Sequence, residues 1–179
     1  ADIEDAQRLR FKVFAEEMGA NLPNAASGLD QDIFDPYCDH LLVRDERIGR
    51  VVGTYRILRP ESAKRIGGYY SETEFDLTRL QHLRNQLVEL GRSCVLPDYR
   101  SKRTIELLWR GIAAYMQHYK IGAMIGCASF EGTNPLAHAL ALSFLHHHAT
   151  SENDWAAQAL PERFVSMDLI SKIFVQQMD

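Results

Sequence analysis

The chain has 179 residues, of which 46% are hydrophobic and 25% are charged, and its formal net charge is −4. This length and composition are typical of one globular domain, residues 1–179, with a substantial core, and the acidic balance argues against nucleic acid as a partner. No apolar run reaches the roughly 18–20 residues that a membrane-spanning helix needs.

The start of the chain and its cysteines favour a cytoplasmic setting. Ala1–Asp5 is acidic and lacks the basic-then-apolar pattern of a secretion signal. Cys38, Cys94 and Cys127 are odd in number and widely spaced, so neither a disulfide framework nor a structural zinc site is indicated. No metal is expected at His146–His148 either, since imidazoles at a helix end complement the helix dipole.

The first half of the chain predicts a helix followed by a β-hairpin. Asp5–Met18 has helical spacing of its apolar residues, and Gly19–Asp35 has the composition of a loop. His40–Arg44 and Val51–Leu58 resemble strands joined by a tight connection, as in an antiparallel hairpin. Pro60–Gly68 interrupts this pattern.

The second half predicts a strand, a long helix and several shorter elements. Gln86–Val95 is the strand and Ser101–Lys120 the long helix. The shorter elements are a helix with an approach loop at Phe75–Asn85, a strand buried on both faces at Met124–Ala128, a helix over Asn134–Leu145 with Pro135 at its first position, and strands at Phe164–Leu169 and Ile173–Asp179. Little chain connects the last two, which indicates a missing segment near Lys172. This order predicts an α/β (α+β) fold, with one mixed sheet and helices on both faces.

The strongest chemical signal is the acid, glycine and base within the strand Gln86–Val95. Regular alternation would point Glu89 and Arg92 to opposite faces. One extra residue at Leu90–Gly91, a β-bulge, would re-aim both side chains and free backbone N–H groups to polarise a carbonyl. Glu89 would then serve as a general base. The alternative is that Glu89 and Arg92 form a structural ion pair at a strand edge.

Cations and hydroxyl groups open the long helix after Pro97. These residues are Arg100, Ser101, Lys102, Arg103 and Thr104. Free N–H groups and the positive end of the helix dipole favour an anion at such a place. The phosphate of a phosphopantetheine arm, on acyl carrier protein or on coenzyme A, would suit it, and the alternative is a solvated basic helix start.

Acidic residues precede the first predicted strand. Asp35 and Asp39, together with Glu16 and Glu17, could hold a cationic amine substrate. The alternative is a turn in which the two aspartates bond local backbone N–H groups. The apolar stripe of Leu136–Leu145 is expected in the core, and a surface that faces a membrane or an acyl chain is the alternative.

The chain resembles the GNAT-type acyltransferases, and most of all the bacterial ornithine lipid-forming N-acyltransferases, which often carry the label hemolysin-like. The stretches that carry the resemblance are Arg10–Ala20, Phe34–Leu42, Val52–Arg56, Gly68–Asp76, Glu89–Arg100, Leu108–Ile112 and Gly126–Phe130. The resemblance implies a largely antiparallel sheet with a splayed central strand pair. It also implies transfer of a long, usually 3-hydroxylated acyl chain from acyl carrier protein to the α-amine of ornithine, which gives a lyso-ornithine lipid. Members of this family often run longer at the C-terminus.

A weaker resemblance links the chain to acyl-homoserine-lactone synthases. The matching elements are Arg10 with Phe14, Asp35 with Asp39, Arg56, and Glu89 with Arg92. The spacing of the acidic pair departs from that family by one residue. The glycine-rich pyrophosphate loop of coenzyme A-dependent members is absent, since Arg103 and Ile105 stand where small residues are expected. Without glycines the backbone wraps a pyrophosphate less closely, which favours a carrier-protein arm with its single phosphodiester.

Together the residues and the resemblance imply an N-acyltransferase that needs no metal and no permanently bound cofactor. Glu89 accepts the amine proton, and N–H groups around Leu90–Arg92 polarise the thioester. Arg100, Lys102 and Arg103 hold the phosphate, and Asp35, Asp39 and Glu17 recognise the amino-acid substrate. Arg10 and Arg56 either pair with those acids or bind a substrate carboxylate. The rival hypotheses are an acyl-homoserine-lactone synthase and a non-catalytic module that binds lipid or a partner.

Overall fold

The computed structural model describes residues 2–23 and 25–176, which form two compact units. The first unit takes the chain up to Tyr69 together with Asn85–Gly126. The second takes Tyr70–Arg84 and the chain from Cys127 onward. All the predicted site residues lie in the first unit, so the sheet and helices of that unit position the candidate site.

The secondary structure agrees with the sequence in its long elements. The strands are β1 (Asp39–Asp45), β2 (Arg50–Leu58), β3 (Phe75–Asp76), β4 (Leu87–Val95), β5 (Ala123–Ile125) and β6 (Gln158–Ala159). The α-helices are α1 (Asp2–Phe11), α2 (Pro60–Ile66), α3 (Lys102–Tyr119), α4 (Ala139–His148) and α5 (Lys172–Gln176). Among the described residues no helix is long and apolar enough to cross a bilayer.

The main sheet is mixed and largely antiparallel, as predicted. Its strand order is β1-β2-β4-β5. The first two pairings are antiparallel and the β4–β5 pairing is parallel. The predicted hairpin is β1 and β2, in which Leu41 lies opposite Tyr55.

Helices cover both faces of this sheet, which confirms the predicted layers. On one face, Leu9 and Val13 of the N-terminal segment pack with Val52 and Cys94. Neighbouring residues along β2 point the other way, and a Cβ at Gly53 would lie 3.6 Å from Leu108 of α3. We refer to these as the α1 face and the α3 face.

The parallel β4–β5 pairing is short, and β5 is an edge strand of the sheet rather than a member of a central pair. The two strands pair at Leu87–Ala123, Val88–Met124 and Glu89–Ile125, and the ladder then ends, although β4 continues to Val95. Just past the ladder the strands still pass closely, because a Cβ at Gly126 would lie 2.5 Å from the carbonyl oxygen of Leu90. Glycine there admits the close approach without a side chain.

The N-terminal helix and the connection after β2 show more helix than the sequence predicted. The predicted helix Asp5–Met18 is confirmed as α1 followed by a π-helical segment, Lys12–Glu17. The segment Pro60–Gly68, expected only to interrupt a strand pattern, contains α2. Pro60 suits the first turn of a helix, and Gly67, with φ of 99°, ends it.

One short prediction in the main sheet is wrong, and the one for Phe75–Asn85 is confirmed in part. Strand β5 has three residues instead of the predicted Met124–Ala128, and Met124 is 39% exposed, so the strand is not buried on both faces. The predicted short helix within Phe75–Asn85 is present as a 3₁₀ helix, Thr78–Gln86, and the two-residue strand β3 precedes it in place of a loop. An apolar run alone does not distinguish buried strands from partly exposed ones.

In the second unit, one helix is confirmed and two strands are not. The helix predicted for Asn134–Leu145 is confirmed as a 3₁₀ turn at Pro135 that leads into α4. Leu136, Leu140 and Phe144 are exposed, so the expectation that this stripe lies in the core is wrong. Phe164–Leu169 forms no strand, and Ile173–Gln176 belongs to α5. Residues 177–179 of the last predicted strand lie outside the described chain.

Candidate active site

A β-bulge in β4 sets the geometry of the candidate site. Thr54 lies opposite Cys94 and Arg56 opposite Gly91, so β4 uses one residue more than β2 over this stretch. The extra residue therefore falls at Arg92–Ser93, where Arg92 has φ of 49°. The sequence placed the bulge at Leu90–Gly91, two residues too early. A left-handed conformation is uncommon for a residue other than glycine and recurs at functional sites.

The bulge brings Glu89 and Arg92 to the same face of the sheet. Residues opposite each other in an antiparallel pair share a face, so Glu89, opposite Leu58, lies on the same side as Arg56. The guanidinium of Arg92 reaches Asp30 at 3.4 Å and Asp32 at 3.5 Å, which lie on that side too. The predicted consequence of a bulge is thus present, although the bulge lies elsewhere.

Glu89 lies where the parallel ladder ends, and its side chain is nearly enclosed. It is the last residue of β4 that pairs with β5, and it is 6% exposed. Its carboxylate is close enough to the Cys38 thiol to act on it electrostatically, as are Asp32, Asp35 and Arg56. A carboxylate in such a charged and largely dry environment is suited to moving a proton.

A cluster of buried ion pairs covers the α1 face beside Glu89. We define the buried charge cluster as Arg10, Arg56, Arg92, Asp30, Asp32 and Asp35. Arg10, which is 0% exposed, binds Asp30 at 2.9 Å and Asp35 at 2.7 Å. Arg56 donates to Asp32 at 2.6 Å and to Asp35 at 2.9 Å. Three arginines face three aspartates, so the charges balance, as ions removed from water require.

The cluster sets the protonation of the groups around it. Burial alone would raise the pKa of Asp35, but hydrogen bonds and charge from Arg10, with hydrogen bonds from Arg56 and Gln7, lower it to about 2. Burial raises the pKa of the Cys38 thiol to about 12, since Arg56 opposes this only in part. Asp35 is therefore ionised and Cys38 is a neutral thiol near neutral pH.

The structure does not bring Asp35 and Asp39 together. Asp35 is buried on the α1 face within the charge cluster. Asp39 pairs with Ile57 on the other side of the sheet. There it accepts hydrogen bonds from Tyr115 Oη at 2.5 Å and from Arg59 at 3.0 Å. The predicted acidic pair is thus divided between the two faces of the sheet. Asp35 lies in the 3₁₀ turn before β1, whereas Asp39 is the first residue of the strand.

Two residues predicted to bind different substrates are bound to each other. Arg100 makes a two-pronged ion pair with Glu17, at 2.6 and 2.7 Å. The same guanidinium donates to the carbonyl of Val95 at 3.1 Å. The pKa of Glu17 is lowered, chiefly by its hydrogen bond from Arg100. A phosphate at Arg100 would have to compete with Glu17.

The start of α3 groups the residues that the sequence predicts to bind an anion. The hydroxyl of Ser101 accepts the N–H of Thr104 at 3.4 Å and caps the helix. In the described chain the backbone N–H groups of Lys102 and Arg103 have no acceptor, as is usual for a helix start. Their side chains are exposed, and only Lys102 is near a carboxylate, Glu106 at 3.9 Å. The structure thus brings these residues together at one helix end.

Sequence reasoning missed part of the buried charge cluster. Asp30 and Asp32 were assigned only to a loop, and Gln7 was assigned no role, yet Gln7 donates to Asp35 at 3.0 Å. The available signal was the density of acids in Asp30–Asp35, since carboxylates so close in sequence repel one another unless cations are near. The cations come from distant parts of the chain. Of the two roles that the sequence offered for Arg10 and Arg56, the structure shows the pairing with the acids, since both bind Asp35.

The second unit contains a groove and a group of three potential metal ligands. A groove of about 440 Å³ is lined by residues 72–81 and 158–161, and contains none of the predicted site residues. His146, His147 and Asp168 place three potential ligand atoms within 4.8 Å of one another. His147 Nε2 also lies 3.0 Å from the carbonyl of Ile170. This hydrogen bond ties the end of α4 to the segment that follows.

Comparison with known proteins identifies the family. The profile described as "Acetyltransferase (GNAT) domain" matches residues 9–110. The chain is 51% identical over 181 residues to L-ornithine N(alpha)-acyltransferase of Brucella abortus (strain 2308), covering 96% of the chain and 64% of that protein. It is 52% identical over 178 residues to the enzyme of the same name from Agrobacterium fabrum, and the match covers 94% of the chain and 61% of that protein. It is 40% identical over 178 residues to the enzyme of that name from Rhodobacter capsulatus, and the match covers 96% of the chain and 68% of that protein. The chain belongs to the GNAT acyltransferase family and spans about three fifths of the length of the first two relatives.

Solved structures support the same fold. The coenzyme A-dependent acyl-homoserine lactone synthase BjaI, in complex with SAM and isopentyl-CoA, aligns with a TM-score of 0.54 and 18% identity. The alignment covers 88% of this chain and 74% of that one. The structure of BjaI with MTA gives a TM-score of 0.53. At this identity the likeness shows the fold alone, and it confirms the resemblance in fold that the sequence indicated.

Proposed function

We propose that this chain carries the acyltransferase domain of an enzyme that moves a long, 3-hydroxylated acyl chain from acyl carrier protein to the α-amine of ornithine, giving a lyso-ornithine lipid. The curated relatives, named L-ornithine N(alpha)-acyltransferase, support the acceptor and the reaction type. One structural observation carries the proposal. The parallel ladder of the sheet ends at a residue whose side chain is an enclosed carboxylate, Glu89.

The end of the β4–β5 ladder would provide a place for the acyl donor. Leu90 still lies close to Gly126, and from there β4 continues to Val95 without pairing to β5, so this part of its backbone edge is proposed to receive the donor. An extended arm with amide groups can add to such an edge as a further strand would. The thioester of a phosphopantetheine arm would then lie near Glu89.

The reaction needs one base and one set of donors. The α-amine nitrogen attacks the thioester carbonyl carbon, and Glu89 accepts the proton that the nitrogen loses. Backbone N–H groups from Leu90 to Arg92, the stretch that leads into the bulge at Arg92–Ser93, would stabilise the negative oxygen of the tetrahedral intermediate. The carbon–sulfur bond then breaks, the thiolate takes up a proton, and the amide product and the free arm remain.

The start of α3 would hold the phosphate of the arm. The unbonded N–H groups of Lys102 and Arg103 and the dipole of α3, an 18-residue helix, favour an anion, and Ser101 and Thr104 shape this end. Arg100 can contribute only after it releases Glu17. The absence of a glycine-rich loop favours the single phosphodiester of a carrier-protein arm over coenzyme A.

The edge of the buried charge cluster would hold the amino acid. Arg10, Asp35 and Arg56 are buried and act as its frame, whereas the side chains of Arg92 and Asp32 are 34% and 22% exposed. A guanidinium suits the substrate carboxylate and a carboxylate suits the side-chain ammonium of ornithine. Asp39 lies on the other face and Glu17 is held by Arg100, so acceptor recognition is assigned to this edge instead.

The lipid product suits a cytoplasmic enzyme with peripheral contact to the inner membrane surface. In the second unit, Leu140, Phe144 and Leu145 of α4 are exposed, and exposed apolar residues of this kind can rest on lipid. We treat the 179 residues as one functional domain, although the structure divides them into two compact units.

A donor and acceptor screen tests the proposed function. The protein is mixed with acyl carrier proteins and acyl-coenzyme A of several chain lengths and with a panel of amino acids, and products are identified by mass spectrometry. We expect N-acylornithine together with free carrier thiol. A lactone formed with S-adenosylmethionine in place of ornithine would instead favour an acyl-homoserine-lactone synthase. No thiol release with any amine would favour a non-catalytic module.

A further inference from the structure

We propose that the outward face of α3 is the docking surface for the donor carrier protein, an inference that rests on the proposed function. The buried face of α3 is formed by Thr104, Leu108 and Ile112. At 100° per residue, an exposed side of the helix about 130° from that face carries four residues within about 60° of one another, and Glu106 and Gln117 flank them. We call these four residues the α3 stripe: Arg103, Leu107, Arg110 and Ala114.

The α3 stripe has the chemistry of a protein interface. Leu107 is 43% exposed and lies between two arginines, one turn of helix away on either side. In the part of the chain that the structure describes, neither Arg103 nor Arg110 has an ion-pair partner. Arginine around an apolar residue is typical of interface centres. Ala114 extends the stripe with a small side chain, which lets a partner helix approach closely.

Charge indicates what kind of partner the stripe fits. The whole chain has a formal charge of −4. Helix α3 instead carries Lys102, Arg103 and Arg110 against a single acid, Glu106, so its own charge is positive. An acidic carrier protein complements this surface, and such complementarity speeds encounter and fixes orientation. The exposed apolar residues of α4 lack neighbouring cations of this kind.

The position of the stripe fits the delivery of the arm. Arg103 belongs both to the stripe and to the start of α3, where the arm's phosphate is proposed to bind. Arg110 lies seven residues further on, or about 10 Å along the helix axis. A carrier protein seated on the stripe would therefore hold the base of its arm beside the phosphate site.

The test compares two donors that carry the same acyl chain, one on acyl carrier protein and one on pantetheine alone. Arg110→Glu reverses a charge on the stripe but touches none of the residues assigned to the reaction. We expect KM for the carrier-bound donor to rise about tenfold with kcat unchanged. Transfer from acyl-pantetheine should change less than twofold. The loss should shrink as the ionic strength rises, because salt screens exposed charges.

Two further variants complete the design. Lys64→Glu, an exposed charge reversal on α2, is the matched control and should behave as the unaltered protein does with both donors. Ala114→Trp adds bulk without charge and should raise KM for the carrier-bound donor at every salt concentration. If Arg110→Glu and Ala114→Trp leave that KM unchanged, or change both donors equally, the docking surface is disproved.

The same assay separates failure of the docking surface from failure of the proposed function. If the unaltered protein transfers from acyl-coenzyme A but not from acyl carrier protein, the docking proposal ends and the acyltransferase proposal stands. If it transfers from neither donor, the proposed function itself fails. If sedimentation shows a dimer that Arg110→Glu dissociates, a second copy of this chain occupies the stripe and the docking proposal is overturned.

Discussion

The two faces of the main sheet are built in opposite ways although they share the same strands. The α1 face holds paired acidic and basic side chains, among them Arg10, Asp30 and Arg56, which are almost entirely buried. The α3 face is closed mainly by apolar contacts such as Leu108 and Ile112. Buried ion pairs are costly to desolvate, and apolar residues of similar volume often stabilise a fold as well or better. Stability therefore does not explain why the α1 face is built from charged residues. Glu89 lies on this face.

Removing one ion should produce the largest loss of stability. Arg10→Met leaves Asp30 and Asp35 without their main partner, and we expect the free energy of unfolding to fall by about 3–5 kcal/mol. Denaturant unfolding measures this. Arg47→Met is the matched control: the Arg47 side chain, paired with Asp45, is 85% exposed, so its loss should have little effect. A loss at Arg10 as small as the loss at Arg47 would show that the cluster is solvated.

A cavity on the α3 face should lower the free energy of unfolding somewhat less than Arg10→Met does. Leu108→Ala removes a side chain that is nearly fully buried, and we expect a loss of about 3 kcal/mol in the free energy of unfolding. Leu107→Ala, the next residue on the same helix and half-exposed, should cost about 0.5 kcal/mol or less. Equal losses at both positions would contradict the orientation of α3 described here.

Acid should weaken the α1 face selectively. The pKa of Asp35 is lowered from an ordinary value of 3.8 to about 2. A lowered pKa in the folded state adds stability above the unfolded-state pKa, and this is lost as the pH falls from about 4 to 2. The shift corresponds to about 2 kcal/mol. Unfolding measured across this range should show a weaker pH dependence for Asp35→Asn than for the unaltered protein, and Leu108→Ala should keep the full dependence.

The smallest effect on stability is expected at the exposed ion pair of Glu17 and Arg100. Glu17→Gln should leave the melting temperature nearly unchanged. If Arg100 contacts the phosphate of the donor, its release from Glu17 should lower KM for the acyl donor while kcat stays the same. A raised KM would show that Glu17 itself binds a substrate.

Local patterns predicted the long elements of the first unit. The hairpin of β1 and β2, strand β4, and α3 with its Ser101 cap each follow from spacing and capping within one stretch of sequence. The helix start and the acid at Glu89 were located in the same way. Both features depend on residues that are near one another in the chain, so their positions could be predicted from the sequence.

Most features that depend on distant residues were not predicted, although the pairing of Arg10 and Arg56 with Asp35 was one of two alternatives. Arg92 adopts its left-handed conformation beside Asp30 and Asp32, and Asp32 lies 60 residues away in the chain. The separation of Asp35 from Asp39 depends on how the chain enters β1, where a shift of one residue exchanges the two faces. The conformational preference of glycine predicted the bulge at Gly91. The structure has it at Arg92, whose side chain contacts Asp30 and Asp32.

The rate of acyl transfer by Glu89→Gln, followed across pH, tests the central claim most directly. The substitution keeps the shape of the side chain but removes the proton acceptor. If Glu89 is the base, transfer from acyl carrier protein to ornithine should fall by about 10²–10⁴, and binding of the acyl carrier protein should stay the same. Turnover that matches the unaltered protein at every pH would remove Glu89 from the mechanism and end this account of the site.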